Sequence, residues 1–173
     1  VFTADQERLL LDQWNKTAVD FPQQMCAHEL FENRVVKTPD AAAVVFENQE
    51  LTFSELNTKA NQLARYLREQ GVGPEKYVGI SVEKSLEMVI ALLGVLKAGG
   101  VYIPIDPAYP QDRIDYIIND SGIFLLLTQS RLENLFTETD CRILFLDQET
   151  KSSNNTVVEN LKSLTTPENL AYI

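Results

Sequence analysis

The feature that most confines this chain is the stretch Leu96-Lys97-Ala98-Gly99-Gly100-Val101-Tyr102-Ile103-Pro104-Ile105-Asp106-Pro107-Ala108-Tyr109-Pro110. Upstream of it, Met88 to Leu96 is apolar almost throughout, which predicts a helix buried on most of its circumference. Gly99 stands where the left-handed residue after a helix belongs, and Lys97 lies in the last turn, where its charge complements the helix dipole. Val101 to Ile105 then reads as a strand, in which Pro104 denies the ladder one N–H. A buried helix turned tightly into a buried strand belongs at the centre of an α/β domain.

The rest of the chain repeats that alternation. Thr3-Ala4-Asp5-Gln6 has capping-box spacing and predicts a helix through Trp14, followed by a connector over 15–22. A second helix is expected from His28 to Val36 and is ended by Thr38-Pro39-Asp40. Ala41 to Glu47 reads as a strand, Asn48-Gln49 as a hairpin turn and Glu50-Leu51 as its return. Thr52-Phe53-Ser54-Glu55 is a second capping box, opening a helix to about Gln70 with Leu56, Ala60, Leu63, Ala64 and Leu67 on one face. Tyr77 to Val82 is a strand and Ser85 to Ala98 the buried helix. A helix starting at Pro110 carries Ile114, Ile117 and Ile118. Ile123 to Thr128, a short helix at 131–136 and Arg142 to Leu146 continue the pattern. A mobile loop is expected over 148–155, a last short helix over 157–164, and a strand beginning at Leu170. The strands read as apolar runs, so the expected fold is α/β, a largely parallel sheet flanked by helices on both faces.

Composition excludes several functions. A net charge of −10 without a Lys/Arg cluster disfavours nucleic acid and anionic membrane surfaces as partners. The longest apolar run falls far short of the roughly 20 residues of a membrane span. The first residues lack the basic start of a signal peptide, so the expected compartment is the cytosol. Cys26, Cys141 and the single histidine, His28, cannot assemble a zinc set, and both thiols are expected to be partly buried and inert.

No catalytic set emerges from the residues. Gly71-Val72-Gly73 and Gly99-Gly100 fit no phosphate-loop pattern and are explained by helix ends. His28 has no nucleophile motif near it and reads as a cap or surface histidine. Asp112 and Asp115 fall on a solvated helix face. Tyr102, Tyr109 and Tyr116 either line a pocket or pack beside the sheet, the second being the simpler reading.

Three stretches carry a resemblance. Leu51-Thr52-Phe53-Ser54-Glu55-Leu56 resembles the first core motif, L-T-Y-x-E-L, of the amino-acid adenylation domains of nonribosomal peptide synthetases. Leu96 to Asp106 resembles their second, L-K-A-G-x-A-Y-V-P-I-D, with Val101 for Ala and Ile103 for Val. Thr166 to Ile173 resembles the lead-in to their third, a glycine-rich phosphate loop. Thr38-Pro39-Asp40-Ala41 and Asn57-x-x-Ala60-Asn61-x-Leu63-Ala64 fit as well. Leu10-Leu11-x-x-Trp14-Asn15-x-Thr17 is similar to the linker after a condensation domain, so residues 1–22 are expected to be that connector and 23–173 the N-terminal portion of the adenylation domain.

The resemblance implies an adenylate-forming ligase. Such domains join an amino acid to Mg·ATP, release pyrophosphate, and pass the acyl group to the phosphopantetheine thiol of a carrier domain. The phosphate loop, metal ligands, substrate pocket and catalytic lysine are expected after Ile173, so no catalytic, cofactor-binding or metal residue is assigned in this chain. The segment alone is expected to be inactive. Implied partners are the rest of the adenylation domain, carrier and condensation domains and an amino acid. Ending at Ile173, the chain is expected to be either a product of cleavage at that exposed loop or part of a longer polypeptide divided there. Two alternatives stay open: an aryl- or acyl-CoA ligase of the same superfamily, and a non-catalytic α/β binding module.

Overall fold

The computed structural model describes residues 2–137, 139–149 and 159–173. In chain order the elements are α1 (Ala4–Arg8), a π-helical turn (Leu9–Gln13), α2 (Ala27–Lys37), β1 (Ala42–Phe46), β2 (Gln49–Thr52), α3 (Phe53–Glu69), β3 (Tyr77–Ser81), α4 (Leu86–Ala98), β4 (Val101–Pro104), α5 (Gln111–Ser121), β5 (Leu125–Thr128), a 3-10 helix (Ser130–Phe136), β6 (Arg142–Phe145) and α6 (Leu146–Glu149). Among the described residues no helix is long and apolar enough to cross a membrane.

Four strands form a parallel sheet in the order β4-β3-β5-β6. The chain steps from β3 to β4 on one side, then returns past β3 to β5. This reversal places α4 on one face and α5 on the other. Strand alternation sorts the core accordingly. Val78, Ile80, Leu125 and Leu127 pack with α3 and α4, while Ile103 and Leu126 pack with Ile114 and Ile118 of α5. The β1–β2 hairpin is a separate antiparallel pair.

Local signals explain the element ends. Thr52 caps α3 by accepting from the Glu55 N–H at 3.2 Å while Glu55 Oε2 accepts from the Thr52 N–H at 2.9 Å. Gly99 closes α4 in the left-handed region at φ 93°, a conformation glycine adopts without the steric cost of a Cβ. Inside α4, Gly94 lets α3 approach closely; a Cβ there would stand 2.7 Å from Leu63 Cδ2.

Several expectations need correction. The hairpin turn is Glu47-Asn48, one residue earlier than the sequence suggests, with Glu47 at φ 53° and Phe46 paired to Gln49. The first helix leaves α geometry at Leu9: the Trp14 N–H donates five residues back to Leu9 at 3.0 Å, and the Asn15 amide caps Leu10 and Leu11. Gln148 and Glu149 belong to α6, not to a loop, while the rest of the predicted loop, 150–155, lies outside the described residues. Residues 159–164 are not helical. Their carbonyls face arginines of α3 instead, Glu159 accepting from Arg65 and Lys162 from Arg68, the latter at 2.9 Å. Residues 157–158 of that predicted helix also lie outside the described set.

Candidate functional site

In a parallel sheet, ligands bind beyond the carboxyl ends of the strands, at the point where the strand order reverses. Here that point lies between β3 and β5. Thr128 donates to the Ser81 carbonyl at 2.7 Å, and Gln129 Oε1 accepts from the Glu83 N–H and from Arg131, each at 3.2 Å. Arg131 also pairs with Glu83 at 2.7 Å. Ser130 is held by Asp147, and that hydrogen bonding keeps the Asp147 carboxyl below its ordinary range despite some desolvation. Most polar groups along this edge bind one another; the Ser81 hydroxyl is buried without a hydrogen-bond partner among the described residues.

A buried polar cluster joins α2, α3, the last turn of α4 and Asn160. Asn57 and Asn61 are four residues apart on α3 and therefore share a face. Both are buried, and their amides donate to Asn160 Oδ1 at 2.9 and 3.1 Å. Lys97, 2% exposed, forms an ion pair with Glu32 of α2 and reaches Asn160 Oδ1 at 3.4 Å. Burial lowers the Lys97 ammonium from its ordinary pKa, against the opposing pull of Glu32. Arg68 donates to the carbonyls of Lys97 and Ala98 at 2.7 and 3.2 Å, satisfying the open C-terminus of α4. Lys97 and the two asparagines come from motifs visible in the sequence. Glu32 and Asn160 complete the cluster and carry no sequence signal, because Asn160 lies about a hundred residues from both asparagines.

His28 is the clearest departure from the sequence reading. It is buried, 5% exposed, because the returning segment 163–165 covers the start of α2. Its Nε2 stands 3.4 Å from Ser163 Oγ, whose hydroxyl donates to the Thr165 carbonyl at 3.0 Å, so the two are no nucleophile and base. Burial lowers the His28 pKa, although Glu32 and Glu29 pull it up. Beside it opens a cavity of about 380 Å³, walled by Phe21, Met25, Cys26, Leu96, Thr165 and Leu170. Cys26 and Cys141 are both half-buried free thiols, as expected.

The remaining groups are not brought together. Tyr102 stacks on Tyr172 with ring centroids 5.6 Å apart, whereas Tyr109 and Tyr116 are exposed. Asp112 is exposed, and Asp115 is half-buried, accepting from Gln111 at 2.8 Å. Among the described residues no group of three His, Cys, Asp or Glu is placed to hold a metal ion. Among the described residues the edge groups are mostly bound to one another and the glycine pairs at 71–73 and 99–100 follow helix ends, so they form no cradle that fits a Mg·nucleotide.

Comparison with known proteins agrees with the sheet and its motifs. The family model described as AMP-binding enzyme matches residues 31–173. Gramicidin S synthase 2 of Brevibacillus brevis is 48% identical over 169 residues, covering 98% of this chain and 4% of that protein. Tyrocidine synthase 3 of Brevibacillus parabrevis is 45% identical over 170 residues, covering 98% of this chain and 3% of that protein. This chain thus spans only a few hundredths of the length of these relatives. The solved nonribosomal peptide synthetase FmoA3, bound to alpha-methyl-L-serine-AMP, superposes with a TM-score of 0.83 at 34% identity, over 96% of this chain and 18% of that one. The N-terminal subdomain of Klebsiella oxytoca NpsA shares the fold at 20% identity, with a TM-score of 0.72 over 83% of this chain and 36% of its own. By these matches the chain belongs to the AMP-binding enzyme family and corresponds to the N-terminal portion of an adenylation domain of the nonribosomal peptide synthetase kind.

Proposed function

We propose that this chain is the N-terminal scaffold of an amino-acid-activating adenylation domain. The whole domain would join an amino acid to ATP as an aminoacyl adenylate, release pyrophosphate, and pass the acyl group to the phosphopantetheine thiol of a carrier domain. One observation carries the reading. The Leu96–Pro110 corner that spells the second core motif is anchored in the core through its first half, with Lys97, Ala98, Val101, Ile103 and Ile105 all buried. Its role is structural. Lys97 and the carbonyls of α4 are occupied within the fold, so this chain supplies support and the remainder supplies the donors and metal that neutralise phosphate charge.

Two further features support the reading. The relatives are named as synthases of gramicidin S and tyrocidine, and FmoA3 is described as bound to AMPPNP as well as to alpha-methyl-L-serine-AMP. Residues 1–22 leave Leu11, Trp14 and Phe21 exposed, which suits a connector lying against a neighbouring domain. The test is exchange of labelled pyrophosphate into ATP by the longer protein containing this chain, assayed across the amino acids. Exchange dependent on one or a few of them is expected. Exchange driven by an aryl or fatty acid but by no amino acid would replace this reading with that of an aryl- or acyl-activating ligase.

A further inference from the structure

Residues 159–173 form a strap that touches α3, α4 and α2 in turn and finishes on the outer edge of β4. Two of its contacts are made by main-chain carbonyls: Glu159 accepts from Arg65, and Lys162 from Arg68 at 2.9 Å. Every residue has a carbonyl, so such bonds hold the strap without choosing which residue stands there. Most of the side-chain contacts are weak. Ser163 Oγ is 3.4 Å from His28 Nε2, Thr165 Oγ1 is 3.9 Å from Cys26 Sγ, and the bond from Asn169 to Glu75 is exposed to solvent. Asn160 differs. It is exposed, yet its Oδ1 accepts from three buried residues: Asn57 Nδ2 at 2.9 Å, Asn61 Nδ2 at 3.1 Å and Lys97 Nζ at 3.4 Å. An ammonium can only donate, so the atom facing Lys97 is the oxygen, and that fixes the orientation of all three carboxamides.

We propose that Asn160 is the positioning residue of this strap: its carboxamide oxygen, seized by buried donors of α3 and α4, sets where residues 163–173 lie on α2 and on β4. The far end depends on that setting. The Tyr102 N–H donates to the Ala171 carbonyl at 3.1 Å, the Ile173 N–H donates to the Tyr102 carbonyl at 3.2 Å, and the Tyr102 and Tyr172 rings stack with centroids 5.6 Å apart. These contacts make an isolated parallel bridge with no ladder continuing it. One bridge does not offset the entropy of ordering a whole segment, so the strap must be delivered to β4 by its other contacts. The three contacts of Asn160 use its oxygen and none uses its Nδ2. A carboxylate at this position would serve the same donors, and a hydrocarbon would leave Asn57 and Lys97 each short of an acceptor.

This inference does not depend on the proposed adenylation activity. The 3.9 Å between Cys26 Sγ and Thr165 Oγ1 lets Thr165→Cys act as a gauge, because a thiol there is within reach of a disulfide to Cys26. The experiment uses the longer protein carrying Thr165→Cys. Linkage of positions 26 and 165 by oxidised glutathione is timed and mapped by peptide mass, and hydrogen exchange of the Tyr102 amide is read on the same protein. Adding Asn160→Ala is expected to slow linkage on the order of tenfold, the shift produced by losing one or two net hydrogen bonds, and to speed exchange at Tyr102. Asn160→Asp, which keeps the acceptor, should restore both, and Lys162→Ala, which keeps the main-chain carbonyl, should change neither. Linkage and exchange at the parent rates in Asn160→Ala overturn the proposal, even if the unfolding temperature falls, since that is the mark of a merely structural role. So does Asn160→Asp behaving like Asn160→Ala, or a Thr165→Cys protein that does not link at all. If Asn160→Ala fails to fold, Asn160→Asp decides alone: linkage at the parent rate supports the proposal and slow linkage overturns it.

Discussion

The two faces of the parallel sheet are stabilised differently. On the α5 face the core cluster is hydrocarbon, formed by Ile103, Ile105, Ile114, Ile118, Leu126 and Phe136, and the buried polar groups beside it are the small hydroxyls of Ser81 and Thr128 at the strand ends. On the α3–α4 face a comparable apolar layer is bordered by buried Asn57, Asn61, Lys97 and His28. Hydrocarbon packing accepts many residues of similar volume, whereas a buried amide or ammonium needs partners at fixed positions. The stretches that carry the family resemblance reach the polar side through Asn57, Asn61 and Lys97, while Ile103 and Ile105 of the second motif pack on the α5 face. The polar members are the ones whose partners fix their identity.

The largest effect that would sharpen this contrast comes from Lys97. Lys97→Ala strands Glu32 beside a cavity and is expected to lower stability by about 3 kcal/mol in denaturant titrations. Converting both partners, Lys97→Met with Glu32→Leu, should recover most of it, because desolvation already weighs against the charged Lys97. Next is Asn61→Leu, which keeps the branched shape but removes the amide donating to Asn160 and sets bulkier hydrocarbon in the polar pit; a loss of about 2 kcal/mol is expected. The matching change on the other face, Ile114→Leu, should cost about 1 kcal/mol. Equal losses for Asn61→Leu and Ile114→Leu would break the comparison.

A smaller effect concerns His28. Its pKa is lowered in the fold by burial, so below histidine's ordinary value of about 6.5 the unfolded chain binds protons that the folded chain resists. Stability from this group is complete above about pH 6.5 and declines as pH falls below it. His28→Gln should flatten that part of the pH–stability curve; an unchanged slope would mean that another group sets it.

Much of the fold was legible. Capping boxes at Thr3 and Thr52 and the glycine at 99 marked true helix ends, and the apolar runs marked the parallel strands. Failures came where distant partners decide. Residues 159–164 have helix-compatible composition, yet Arg65 and Arg68 take their carbonyls. His28 looks like a solvated first-turn residue until Ser163 covers it. The hairpin turn moved by one residue because Glu47 accepts a left-handed φ that its side chain does not announce. The polar cluster was half visible: its motif members could be seen, but Glu32 and Asn160 could be found only through space.

The central claim is that residues 1–173 hold the site without containing its reacting groups. Amino-acid-dependent exchange of labelled pyrophosphate into ATP, measured for this chain alone and for the longer protein that includes it, tests that claim most directly. The predicted result is incorporation by the longer protein and none by the chain alone. Incorporation by the 173-residue chain would contradict it.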